Sequence, residues 1–207
     1  MTIVLIALTS IISVVCFSRK ELFYRLQFNA YQIVHRRQFY RMLSHGFVHA
    51  NWWHLLVNMF VLYFFGTHTE AILVNLALRG YLKYPYLVYI VFYLIAIVFA
   101  SSISLVRYKD DAWYNSVGAS GAVSATMFFC IFFEPWEKLY LYGMIGIPGI
   151  LFAVLYLVYA QYMSRRGGDN INHDAHFLGA VFGFVTPLFI DWELIKEFLS
   201  KLISILN

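Results

Sequence analysis

The chain has 207 residues, 61% of them hydrophobic and 13% charged, with a mean hydropathy of +0.68. A soluble domain carries about a quarter charged residues; 15 Lys and Arg with 11 Asp and Glu cannot give this much apolar area a water-soluble surface, so lipid must cover most of it. That excludes a soluble enzyme, a disordered protein and a nucleic-acid binder, because the net charge of +4 is small and the basic residues sit between apolar runs, where they would face headgroups.

A bilayer core of about 30 Å needs roughly 20 helical residues, and the chain offers six such stretches in order. Residues 1–18 carry no charge before Arg19 and Lys20. With no basic segment ahead and no small-residue cleavage site, this stretch reads as a first transmembrane helix and not a signal peptide. The long connection that follows, Arg19 to Asn51, sets Leu22, Phe23 and Leu26 at helical spacing against Arg19, Lys20 and Arg25, the pattern of short interfacial helices. Further helices are expected over about 52–72, 86–106, 116–133, 142–163 and 172–190. Their connections are short and polar, and the last contains Gly167-Gly168, a candidate mobile piece. The expected fold is therefore an all-α membrane bundle of six helices in a single domain, 1–207. Aromatic runs such as Tyr81 to Tyr93 read as an interfacial belt and lipid-facing bulk. Cys16 and Cys130 lie inside apolar runs and read as small hydrophobes.

Polar residues inside membrane helices are costly and mark function. Three clusters qualify. His54 and Asn58 share one face of the second helix at i, i+4. Ser120 sits in Gly118-Ala119-Ser120-Gly121 near the start of the fourth. His173 and His176 open the sixth. These three helices run in the same direction, so all three clusters fall roughly 5–12 Å below one face of the bilayer. Small residues predict which helices touch: Gly118, Gly121, Ala122 and Ala125 on one, Ala175, Gly179, Ala180 and Gly183 on the other. If those faces meet, Ser120 comes within hydrogen-bond reach of His176, a nucleophile beside its base. Asp174, two residues from His176, points elsewhere, so the expected unit is a dyad. The Ser120 backbone N–H, the Asn58 amide and the His54 imidazole are candidate oxyanion donors, and Gly118 would allow close approach to the backbone. Ser44, His45, Asn115, Ser116 and Asn172 could line a path for water.

These residues resemble the rhomboid family of intramembrane serine proteases. Ser44-His45-Gly46-Phe47-Val48-His49 with His54 and Asn58 looks like the family's second-helix signature, Gly118-Ala119-Ser120-Gly121 like its GxSG motif, and Ala175-His176 with Gly179 and Gly183 like its AHxxGxxxG. The resemblance implies a Ser120–His176 dyad assisted by His54 and Asn58, no metal or other cofactor, single-span membrane proteins as substrates, and a water-filled cavity on the extracytoplasmic side. It places the termini in the cytoplasm and the protein in the plasma (inner) membrane. The charge count points the other way: the side with the termini holds Arg79, Lys83, Lys138, Lys196 and Lys201, while the opposite side holds ten Lys or Arg, six of them in the first connection. Two positions depart from the family pattern. Tyr40-Arg41 stands where a Trp-Arg pair is usual, and Ser124 stands where many members place an aromatic that packs on the catalytic histidine.

Two rival readings use the same residues. Seven histidines, with HxxxH spacing at His45/His49 and HxxH at His173/His176, could ligate a haem or di-metal centre in a membrane oxidoreductase, though no HExxH is present. A catalytically silent relative would bind transmembrane helices without cutting them. His35, His45, His49, His68 and His173 otherwise read as structural, and Glu70 as a local hydrogen-bond partner at the end of its helix.

Overall fold

The computed structural model describes residues 1–141, 144–166 and 171–204; Gly167-Gly168 lies outside them. Among the described residues, helices overlap each of the apolar runs: α1 (Thr2–Ser18), α5 (Trp52–Leu78), α6 (Pro85–Ala100) continued by α7 (Ser102–Arg107), α8 (Ser120–Phe133), α9 (Gly149–Arg166) and α10 (His173–Ile190). Three segments among the described residues are long and apolar enough to cross a membrane, Trp52–Leu78, Pro85–Arg107 and His173–Ile190. Two further apolar helices are shorter, Thr2–Ser18 and Ser120–Phe133. The first connection folds as three short helices, α2 (Lys20–Leu26), α3 (Ala30–Arg36) and α4 (Arg41–Ser44), followed by a 3₁₀ turn at His45–Phe47.

Several boundaries differ from the sequence expectation. Helix α5 continues past residue 72 to Leu78 because Leu73 and Leu76 still find core positions, and Glu70 is therefore interior to it, accepting from Thr2 Oγ1 at 2.9 Å. Helix α8 starts at Ser120 and not at 116, because Ser116 pairs in antiparallel fashion with Phe28 of the first connection. The fifth helix begins at Gly149 and not at 142. Strands β1 (Lys138–Leu141) and β2 (Ile145–Pro148) take up the preceding segment, with Lys138 opposite Pro148 and Leu139 opposite Ile147. Hydropathy alone does not separate that apolar hairpin from a helix start; Pro148 does bias Ile147 toward extended backbone. A further amphipathic helix outside the predicted stretches, α11 (Leu194–Ile203), follows α10 and buries Leu194 and Phe198.

Helix α8 is the centre of the bundle. Every residue from Gly121 to Phe133 is buried, as expected of a helix that is apolar on all sides. Helices α5, α6 and α10 pack around it, α1 lies outside α5, and α9 sits at the edge against α10. The α8–α10 contact is backbone on backbone. A Cβ at Gly179 would strike the Gly121 carbonyl, and one at Gly183 the Ala125 carbonyl, so small residues on both helices set the spacing. Aromatics fill the remaining core. Tyr89 and Tyr93, expected in the lipid-facing belt, are fully buried, whereas Tyr84 and Tyr86 are exposed.

Candidate active site

Three helix N-termini converge. Asn51 caps α5, its side-chain oxygen accepting from the His54 N–H at 2.8 Å, and Asn172 caps α10 by accepting from the Ala175 N–H at 3.1 Å. Such caps satisfy donors that a helix start leaves free. They also fix where His54 and His176 leave the backbone. Ser120 is the first residue of α8, and its Oγ lies 2.8 Å from His176 Nε2. The serine hydroxyl can donate only to an unprotonated Nε2, which puts the imidazole proton on Nδ1.

The loop before Ser120 is held from below. Gly118 has φ +123°, a conformation that L side chains rarely adopt, and a Cβ there would lie 2.7 Å from His54 Cε1. Its N–H donates to the His45 carbonyl at 3.0 Å. Gly118 is thus required by backbone conformation and by the His54 ring together. The neighbouring Ala119 N–H donates to His49 Nε2 at 3.3 Å. Ser13 Oγ spends its proton on the Phe47 carbonyl and accepts from His49 Nδ1 at 3.0 Å, so His49 is a neutral imidazole of fixed tautomer. Burial, reinforced by the adjacent His54, pushes the His49 pKa down to about 3, and burial pushes His45 down to about 4.

Around the pair, Asn58 is buried and donates to the His54 carbonyl at 2.9 Å. The His54 ring packs on His49 at 4.9 Å between centroids. The Ala50 N–H meets His54 Nδ1 at 3.5 Å, a contact that favours the tautomer with a proton on Nε2, the nitrogen beside Gly118. Asp174 faces away from Ser120 and accepts from Ser164 and Arg107. A cavity of about 550 Å³, lined among others by His54, Asn115, Ser116 and Asn172, adjoins a recess of about 20 Å³ lined by Ser120, Gly118 and His45. Ser44 is not among the residues lining either space; its hydroxyl donates to the Leu26 carbonyl at 2.7 Å. Among the described residues no three of His, Cys, Asp and Glu converge as a metal-ligand set.

Residues 36–192 match the Rhomboid domain family. The chain belongs to the rhomboid family. It is also 32% identical over 148 residues to RHOMBOID-like protein 12, mitochondrial, of Arabidopsis thaliana; that match takes in 67% of this chain and 43% of the relative, so the chain spans less than half of the relative's length.

Of the two departures from the rhomboid pattern, Tyr40 is an exposed ring beside Arg41, and the one at residue 124 finds a physical account. Arg41, beside Tyr40, is buried and donates to the Tyr24 and Gln27 carbonyls at 2.8 and 2.7 Å, pinning the first connection together. Ser124 supplies no ring, but its Oγ lies 2.7 Å from the hydroxyl of Tyr156 on α9. The Tyr156 ring runs nearly parallel to the His176 imidazole, 14° between planes and 6.5 Å between centroids. Nothing in the sequence around Tyr156 marks it out.

Proposed function

We propose that this rhomboid-family membrane protein is an intramembrane serine endopeptidase that cuts transmembrane segments of single-span membrane proteins. The observation that carries the reading is the 2.8 Å contact between Ser120 Oγ and His176 Nε2 on two helices locked together by Gly179 and Gly183. Ser120 Oγ attacks a peptide carbonyl while His176 Nε2 takes the hydroxyl proton. The resulting oxyanion is met by the Ser120 N–H at the positive end of α8, with the Asn58 amide and His54 Nε2–H as further donors. His176 returns the proton to the leaving amine, and the acyl-enzyme is then hydrolysed by water that reaches Ser120 from the cavity. The scissile segment must unwind first, because a helix shields its own carbonyls, so substrates with helix-breaking or small residues near the cut are preferred.

In this reading the chain is one domain of six membrane-crossing helices, including the shorter α1 and α8 and the more polar α9. Both termini face the cytoplasm of a plasma (inner) membrane, and the cavity opens on the opposite side. A cysteine placed at Asp110 should react with a membrane-impermeant thiol reagent added outside intact cells, and one at Lys138 should not. The reverse pattern would give the orientation that the Lys and Arg count favours.

The deciding experiment incubates detergent-solubilised protein with a model single-span substrate. The wild type should cleave it, Ser120→Ala should not, and EDTA should change neither result. Equal cleavage by Ser120→Ala would end the serine mechanism. Loss of cleavage in EDTA that zinc or iron restores would revive the metal reading, and an inert wild type would favour the silent helix-binding alternative.

A further inference from the structure

We infer that Tyr156 of α9, hooked to Ser124 of α8, is a positioning residue that steadies the plane of the His176 imidazole, alongside the His173 ring that meets it edge-on at 6.0 Å; this rests on the dyad reading above. Ser120 and Ser124 are one helical turn apart and lie on the same face of α8. Each makes one polar contact to a ring from another helix. Ser120 Oγ meets His176 Nε2 at 2.8 Å, and Ser124 Oγ meets Tyr156 Oη at 2.7 Å. The two rings lie side by side, nearly parallel at 14°. The arrangement is a ladder whose upper rung is the dyad and whose lower rung is a partly buried hydroxyl pair.

The need for the lower rung is conformational. The last torsion of a histidine side chain is broad, so the position of its Cβ does not set the direction in which Nε2 points. A parallel aromatic wall narrows that torsion, and a centroid separation of 6.5 Å lies within the range of offset stacking. Tyr156 makes a stiff wall because it is itself held at both ends. Its hydroxyl bonds Ser124, and its ring packs on Phe128 at 5.4 Å and Phe152 at 5.6 Å. Ser124 is buried, so it is small enough to admit the tyrosine and polar enough to hold it. The chain thus places on α9 the aromatic that the rhomboid resemblance leads one to expect at residue 124. One consequence follows for α9. It is an edge helix whose buried residues are only Gly149, Ala153 and Ala160, so a displacement that draws Tyr156 off the bundle also loosens the dyad.

The test measures kcat and KM for the single-span substrate, together with the rate at which a serine-reactive phosphonate labels Ser120. Tyr156→Leu keeps bulk but removes the plane, and it should lower kcat and labelling about 10²-fold, the scale for a misplaced reacting group, with KM unchanged. Adding Ser124→Tyr to Tyr156→Ala restores an aromatic from the α8 side and should recover most of the lost labelling. Ser124→Ala and Tyr156→Phe delete the same hydrogen bond, so each should cost about fivefold and the double variant no more than either alone. Wild-type kcat and labelling in Tyr156→Leu would overturn the positioning role and leave the dyad standing. Additive losses in the Ser124/Tyr156 double variant would remove the hook. Failure of the wild type itself to label at Ser120 would instead defeat the dyad. Should Tyr156→Leu not fold, the conservative Ser124→Ala and Tyr156→Phe pair decides.

Discussion

The two ends of the bundle are built from different chemistry. At the N-terminal ends of α5, α8 and α10 the groups that hold the backbone are neutral: Asn51, Asn172 and His49, with His49 kept uncharged by burial. Charges are present at this end too, but they pair with each other: Asp174, at the rim of the cavity, accepts from Arg107 and Ser164, and Asp110 meets His35 at 3.1 Å. At the C-terminal ends of α5 and α8 charges do the holding. Lys201 of α11 donates to the Phe133 carbonyl at 2.8 Å and to Glu197 at 3.0 Å, Glu197 accepts from Arg79 at 2.7 Å, and His68 meets Glu134 at 2.5 Å. The division follows from electrostatics in a low-dielectric surround. A fixed charge beside His176 would move its proton affinity and compete with the oxyanion for donors. At the far end, a cation on the exposed carbonyls of α8 opposes nothing and complements the helix dipole.

The sharpest way to break the comparison is to remove a neutral donor at the site end. Asn58→Ala and His54→Ala should each lower turnover roughly 10²–10³-fold, the benchmark for one oxyanion donor. For Asn58→Ala, thermal unfolding in detergent should change little, because the side chain donates to the His54 carbonyl, which α5 already occupies; His54→Ala also removes a ring packed on His49 and is compared at matched folded fraction. A variant that cleaves at the wild-type rate would reduce that residue to a packing group.

Neutrality at the site end also predicts a pH response of stability. His45 and His49 are held neutral in the fold, with pKa values near 4 and 3, whereas an unfolded histidine titrates near 6.5. Below about pH 6.5 the unfolded chain binds protons that the folded chain refuses. Stability is therefore full above that pH and falls as the pH drops toward 4, by about 1.4 kcal/mol per pH unit for each histidine. Unfolding temperatures measured from pH 7.5 to 5 should show this decline, and His49→Asn should make it shallower. An unchanged slope in that variant would mean His49 is protonated inside the fold.

Much of the geometry around the candidate site was legible because its signals are short and contiguous. Gly118-Ala119-Ser120-Gly121 carries its own conformational demand, and the spacing of Gly179 and Gly183 encodes a close helix contact that the fold makes. What escaped the sequence depends on packing between distant segments. Tyr156 is one aromatic among many on an edge helix, and only its neighbours distinguish it. Tyr89 and Tyr93 share a run with exposed tyrosines, and hydropathy cannot say which side of α6 meets α8. The β1–β2 hairpin has the apolar composition of a helix start. Helix α11 was hidden because its span is too short and too charged to read as a membrane crossing, although Leu194 and Phe198 at i, i+4 were there to be seen.

The smallest effect expected tests the charged end. Lys201→Met keeps the aliphatic stem of the side chain but removes the ammonium that caps Phe133 and pairs with Glu197. Phe198 still stacks on Phe132 at 5.1 Å, and Trp136 Nε1 still donates to the residue 201 carbonyl, so α11 should stay docked. The loss is a half-exposed ion pair and one capping bond, together about 1 kcal/mol. It should appear as a small drop in the unfolding temperature that weakens at high salt, because the pair is screened. Cleavage should be unchanged, since Lys201 holds the C-terminal end of α8 and Ser120 begins its first turn. A fall in kcat at unchanged stability would show that the two ends are coupled through α8, and that the charges on α11 tune the dyad from the far side of the bundle.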